Sequence, residues 1–202
     1  MNTTKKADIH VHSKYSAHPS EWILKALGTR ESYTEPEDIY RMAREQGMDY
    51  VTITDHNTIQ GAEELVASHP EDCFMGVELT TYFPDNKCKV HILVYGFNRD
   101  QFDVMNRVRS NIYDLREYLL QHDLPHVVAH ATYAINNRLS YEHLQKLMLM
   151  FNVFEGINGA RSAKHNRVWS KTLHNLEPSH INKLMDLYRM TPQGKTPWIK
   201  TL

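Results

Sequence analysis

Two histidines one residue apart, in Asp8-Ile9-His10-Val11-His12, open a series of side chains able to hold a divalent metal. Residues two positions apart on a strand project to the same face, so both imidazoles can reach one ion. His18 follows in the next loop, Asp55-His56 closes Thr52-Ile53-Thr54, and Glu78 stands in Gly76-Val77-Glu78-Leu79. His91 falls within Val90-His91-Ile92-Leu93, and His130 ends Val127-Val128-Ala129. Neutral imidazole and carboxylate oxygen are ligands for zinc, manganese or iron. A single histidine at a strand end is more often a hydrogen-bonded structural residue, and His-x-His alone is a weak motif. The same placement repeated on five apolar segments is hard to produce by independent packing. The chain holds 13 histidines in 202 residues. Five others, His69, His122, His143, His174 and His180, lack partner spacing and are expected at the surface.

Such positions need strands interleaved with helices. Residues 8–12, 49–54, 74–79, 89–95, 126–130, 153–157 and 198–202 are predicted as strands. A helix is predicted over 34–47, where Thr34 can cap, Pro36 fits the first turn, Glu37 stands three residues beyond Thr34, and Gly47 can end it. Further helices are expected over 58–68, 101–121, 141–150 and 179–189. In the long one, Val104, Val108, Ile112, Leu115 and Leu119 share a face. This alternation argues for an α/β fold with a parallel sheet and packed helices. Seven strands suit a small β/α barrel, whose chemistry gathers at the C-terminal ends of its strands. The last strand region, ending at Leu202, is expected to be incomplete.

Composition excludes several classes. The formal net charge is -1, with 41% hydrophobic and 23% charged residues, so no strong field favours nucleic acid or an anionic membrane. No apolar run approaches the roughly 20 residues of a membrane span, and residues 1–7 are polar, unlike a signal peptide; a cytoplasmic protein is expected. Cys73 and Cys88 make no disulfide framework and are expected as reduced, partly buried thiols.

At Asp8-Ile9-His10-Val11-His12, Thr54-Asp55-His56-Asn57-Thr58, Gly76-Val77-Glu78-Leu79, Val90-His91-Ile92-Leu93 and Val128-Ala129-His130, the sequence resembles the PHP family, named for its polymerase and histidinol phosphatase members. The resemblance covers nearly the whole chain and is nearest the stand-alone small phosphoesterases. It implies one domain over 1–202, a distorted (β/α)7 barrel, and two or three divalent ions (Zn, Mn or Fe) with water attacking a phosphorus centre. It places His10, His12 and Glu78 on one ion. Glu78 bridges to a second completed by His91 and His130, and a third takes His18 and His56. Glu78, His56 and Asp55 become the catalytic set, with Asp55 orienting a ligand or a strand end. The family's closing Asp-x-His has no counterpart after His180, so the resemblance also implies a full-length protein continuing past Leu202.

Arg161, Lys164, His165 and Arg167 follow the sixth predicted strand at the catalytic end, where they could hold a phosphate. A solvated helix face explains them as well. Arg138, after the fifth strand, is a similar candidate, and Asn158 could line the pocket. Tyr33 and Trp22 fit either a lid or ordinary aromatic packing. The function expected is a phosphoesterase acting on a small phosphorylated substrate by metal-activated water. An amide or ester hydrolase using the same centre, or a metal-stabilised regulatory module of a larger protein, remains open.

Overall fold

The computed structural model describes residues 4–16 and 28–191. The order is β1 (Ala7–Asp8), α1 (Pro36–Glu45), β2 (Tyr50–Val51), α2 (Gln60–Ser68), β3 (Gly76–Tyr82), β4 (Lys89–Tyr95), α3 (Arg99–Val108), α4 (Ile112–Gln121), β5 (His126–Val128), α5 (Tyr141–Met150), α6 (Ala163–His174) and α7 (Pro178–Tyr188). His18, Trp22 and the predicted strand over 198–202 lie outside the described residues.

The strands form one open array. β1 pairs with β2 in parallel, and parallel bridges Val51–Cys73 and His56–Glu78 carry the array on to β3. β3 and β4 then pair antiparallel, as do β4 and β5, and a parallel bridge between Val128 and Phe154 ends the series. Among the described residues the array does not close through backbone pairing, so the fold is a mixed helix-and-sheet arrangement.

The all-parallel expectation fails at β3–β4 for a reason of chain length. Residues 83–88 separate the two strands, whereas a parallel crossover takes a dozen or more. Lys87, with φ of 59°, makes the reversal, and the Cys88 N–H donates to the Asn86 side chain at 2.8 Å. The predicted helix over 101–121 is likewise two helices. The first ends at Val108, and Asn111 caps the second, its side chain accepting from the Tyr113 N–H at 3.0 Å. α1 begins with Pro36 in its first turn, as expected, but Thr34 does not cap it.

Alternating residues of β3 and β4 divide the molecule. Val77, Leu79, Val90, Ile92 and Val94 enter the main core with Phe102, Met105, Ile112, Leu115 and Leu119 of α3 and α4. The opposite faces of the same strands carry Glu78 and His91, both buried. A second cluster, Ile39, Ala43, Val51, Ile53, Ala62 and Leu65, seats α1 and α2 against β2. Two packed layers thus hold the β2 continuation and β3 side by side, which fixes the spacing between His56 and Glu78.

Candidate metal centre

Glu78 is fully buried and lies at the middle of five imidazoles. Its Oε2 is 3.4 Å from His10 Nε2, 3.2 Å from His12 Nε2 and 3.1 Å from His56 Nδ1. Its Oε1 is 2.9 Å from His91 Nδ1 and 3.0 Å from His130 Nε2. The rings form a closed circuit around the carboxylate: His10–His12 at 5.4 Å between centroids, His12–His56 at 4.6 Å, His56–His91 at 4.7 Å, His91–His130 at 5.2 Å and His130–His10 at 6.0 Å. Six of the seven residues expected as ligands therefore meet at one place; the seventh, His18, lies outside the described residues.

Local structure explains how. His10 and His12 follow β1, and the Thr54 N–H donates to the Val11 carbonyl at 2.9 Å, holding that segment beside the β2 continuation. The chain bends after His56 at Asn57, whose φ is 56°. Asparagine tolerates that left-handed conformation because its short side chain bonds locally. Here it exchanges two hydrogen bonds with Thr80, at 3.0 and 2.8 Å, while its N–H donates to the Glu78 carbonyl at 3.0 Å. His91 sits opposite Thr80 on β4. His130, just past β5, has a positive φ of 29°, a conformation that costs about 1–3 kcal/mol and persists only when its surroundings enforce it.

Glu155 supplies that enforcement, and the sequence analysis missed it. Its Oε2 accepts the His130 N–H at 2.7 Å, and its Oε1 lies 2.7 Å from His10 Nδ1. Asn158 Nδ2 donates to both oxygens, at 3.0 and 3.1 Å. The signal was weak in sequence because Glu155 lies beyond a single-bridge strand, with no histidine beside it. Glu31 was missed too; its Oε2 is 3.9 Å from His56 Nε2.

The electrostatics favour a cation. Burial opposes ionisation of Glu78, yet the imidazoles of His91, His56, His10 and His12 outweigh it and hold the carboxyl well below its usual range. Burial likewise opposes ionisation of Glu155, but the hydrogen bond from His10 prevails and its pKa falls. Burial pushes His56 down to about 2 and His91 down as well, which leaves them neutral. Burial works against a proton on His10, but Glu155 and Glu78 raise it to about 10. Two carboxylates whose pKa values are held down thus lie among the imidazoles, a setting suited to a cation. His56 Nδ1, Glu78 Oε2 and His91 Nε2 are also buried without hydrogen-bond partners, a costly state that coordination would relieve. The ligand atoms of His10, Glu78 and His130, and those of His56, Glu78 and His91, cluster within 4.8 Å. The residues fit divalent metal.

Other expected site residues divide. Asp55 points away from this centre: both oxygens accept from Ser13, at 2.7 Å from the N–H and 2.6 Å from the hydroxyl. Arg161 lines the adjoining cavity of about 890 Å³, with its guanidinium 3.4 Å from the Tyr133 ring centroid. His165 borders a smaller recess beside Arg161. Arg167 and Lys164 are exposed on α6, the solvated face that the sequence left open. Arg138 donates to the Asn86 carbonyl at 2.7 Å in the β3–β4 turn and is not among the residues lining the cavity. His143, expected at the surface, is buried, its ring tilted against Phe83 at 4.6 Å between centroids and hydrogen-bonded to the helix cap Ser140. His174 borders the cavity. Tyr33 is exposed.

Glu155→Gln should weaken divalent metal binding roughly 10–100-fold, the usual cost of losing a carboxylate that orients a ligating histidine. Competition against a chromogenic chelator measures it; parental affinity would return Glu155 to a purely structural role.

No protein-family model matches the chain. Over 74 residues it is 46% identical to an uncharacterized protein of Methanocaldococcus jannaschii, a match covering 37% of this chain and 40% of that one. Solved structures with a similar fold include two hydrolases by description. One is a provisionally assigned metal-dependent phosphoesterase of Bifidobacterium adolescentis, with a TM-score of 0.52 and 14% identity, covering 93% of this chain and 85% of the other. The second is an amidohydrolase of Chromobacterium violaceum with bound sulfate and no metal, with a TM-score of 0.50, 14% identity, and coverage of 93% and 86%. No helix among the described residues is long and apolar enough to cross a membrane.

Proposed function

We propose that this chain is a metal-dependent phosphoesterase acting on a small phosphorylated molecule, with water as nucleophile. The observation that carries the reading is the closed circuit of five imidazoles around the buried Glu78 carboxylate, opening on a cavity that Arg161 also lines. Two or three ions of Zn, Mn or Fe are the expected cofactors, held by His10, Glu78 and His130 and by His56, Glu78 and His91. Bound there, divalent ions supply Lewis acidity and ionise water near neutral pH.

The protein's own groups do the rest. Glu78 joins the two ligand groups and keeps its negative charge. Glu155 aims His10 and fixes the backbone at His130. Arg161, oriented by stacking on Tyr133, presents a planar guanidinium suited to paired contacts with a phosphate. A covalent enzyme intermediate on sulfur is disfavoured, because burial pushes the Cys73 and Cys88 thiols up to about 12 and about 11. We also infer that the array is a distorted barrel: Tyr95 Oη donates to the Ile9 carbonyl at 2.8 Å, and the His10–Glu155 contact joins the two ends of the strand order.

The amidohydrolase likeness favours a second reading, hydrolysis of amides or other esters at the same centre. A panel of phosphate monoesters and amides, with and without added metal, separates the two. Arg161→Ala should raise KM for phosphate monoesters about 10–100-fold, from one lost charge-assisted contact of roughly 1.5–3 kcal/mol, without changing metal content. An unchanged KM, or turnover confined to amides, would overturn the phosphate reading.

A further inference from the structure

Asn158 is half-buried in the loop that leads from Phe154 to α6, and each of its polar groups is engaged. Its Nδ2 donates to the two Glu155 oxygens at 3.0 and 3.1 Å. Its Oδ1 accepts the Ala160 N–H at 3.0 Å, the side-chain turn that asparagine forms with the backbone two residues on. Its carbonyl accepts the Arg161 N–H at 3.1 Å. Asn166, on α6, completes the set. The Asn166 Nδ2 donates to the Asn158 carbonyl at 3.1 Å, and the Asn166 Oδ1 accepts the Asn158 N–H at 3.4 Å. One side-chain amide thus grips the Asn158 backbone much as a neighbouring strand would. It anchors the loop to a helix that is itself seated by the buried Trp169 and Leu173.

We propose that Asn158 is a positioning residue that holds the metal centre and Arg161 in register with each other. The proposal rests on the metal-dependent phosphoesterase reading and goes beyond it by naming the connection between the two halves of the site. On the metal side, Glu155 lies 2.7 Å from His10 Nδ1 and accepts the His130 N–H at 2.7 Å. Whatever fixes this carboxylate therefore fixes two candidate ligands. Contacts from one nitrogen to both oxygens hold the plane of the carboxylate as well as its position. An amide is suited to the task because it donates without carrying charge, so the charge of Glu155 is left to His10. On the phosphate side, the turn from Asn158 sets the direction in which Arg161 leaves the backbone, towards the Tyr133 ring centroid at 3.4 Å. Glu155, Asn158 and Arg161 are spaced three residues apart. Segments that short cannot absorb independent movement of the two ends, and a misplacement of about 1 Å in a reacting geometry can cost roughly 100-fold.

The test uses the whole purified chain, with Zn²⁺ and inorganic phosphate as probes. Competition against a chromogenic chelator gives zinc affinity. Isothermal titration of the zinc-loaded chain, freed of excess metal, gives phosphate affinity. Asn158→Ala is expected to weaken zinc about tenfold, the lower end of the cost of a lost orienting partner, and to weaken phosphate about threefold or more. Asn158→Ser separates the two arms. Its hydroxyl can still accept the Ala160 N–H but is too short to reach Glu155. Zinc should weaken in it, while phosphate binding to the loaded chain stays near the parent's. Double variants show whether Asn158 acts through its partners. In a Glu155→Gln background Asn158→Ala should cost no further zinc affinity, and in an Arg161→Ala background no further phosphate affinity. Additive losses in either background, or a lower melting temperature with both affinities at the parental level, mean general support of the loop and overturn the assignment. A parent that holds zinc but no phosphate overturns the Arg161 arm together with the phosphate reading. A parent that holds no zinc sinks the metal reading, and this role with it.

Discussion

Glu78→Gln should lose more metal than any single histidine-to-alanine variant, with affinity reduced well beyond the roughly 10–100-fold typical of a lost orienting group. Each imidazole in the centre faces one or two carboxylates, whereas the Glu78 carboxylate faces five imidazoles with its two oxygens. The amide keeps the volume of the side chain but removes the charge, and it places an NH2 against nitrogens that need an acceptor or an ion. Elemental analysis of the six variants beside the parent decides the ranking. Retention of parental metal by Glu78→Gln would end the idea that this carboxylate joins two ligand groups.

The same variant has a signature without metal. In the metal-free parent, burial disfavours a proton on His10, but Glu155 and Glu78 outweigh it and lift the pKa from 6.5 to about 10. A group raised on folding contributes stability that is fully present below the unfolded value and is lost as pH rises through the folded one. The chelated parent should therefore lose stability between pH 6.5 and about 10, and Glu78→Gln should lose less over the same window because one of the two carboxylates is gone. Equal slopes would mean that Glu155 alone holds the proton.

The candidate ligands were legible in the sequence because each stood on or beside an apolar segment that reads as a strand. Strand periodicity put His10, His12, His56, Glu78, His91 and His130 on such segments, and the family resemblance grouped them. Glu155 and Glu31 were not legible. One lies past a strand reduced to a single bridge, the other in a segment with no regular structure, and only the tertiary contacts to His10 and His56 give them a role. The β3–β4 reversal was readable in principle from the short connection over residues 83–88. Strand-helix alternation elsewhere suggests a parallel sheet, but the length of this connection decides the direction of pairing. Arg138 shows the converse limit: position after a strand marked it for the cavity, and a turn carbonyl claimed it.

Asp55→Ala should cost about 3 kcal/mol of stability, and this expectation separates the fold from the chemistry. The sequence placed Asp55 among the catalytic residues, next to His56. In the structure it is nearly fully buried, and its two oxygens accept the Ser13 N–H and hydroxyl at 2.7 and 2.6 Å. Ser13 Oγ in turn accepts the Tyr15 N–H at 3.2 Å, so the carboxylate organises the turn that directly follows His12. Burial raises the Asp55 pKa, and the Ser13 hydrogen bonds offset only part of that; the group is retained for geometry at some electrostatic cost. Space around it is tight. A Cβ on Gly61 would lie 2.5 Å from Asp55 Oδ2 and 2.6 Å from Ser13 Oγ, which explains a glycine inside α2 where alanine is the better helix former. Removing the carboxylate leaves two buried donors without an acceptor, at about 1–3 kcal/mol each, and releases His12 from its turn. At roughly 2–4 °C per kcal/mol for a chain of this size, the melting temperature in chelator should fall by roughly 6–12 °C, with Asp55→Asn between the two because one acceptor oxygen survives. Metal affinity should fall along with it. If instead Asp55→Ala melts with the parent, keeps its metal and loses only kcat, the residue acts on substrate and the structural role assigned to it is wrong.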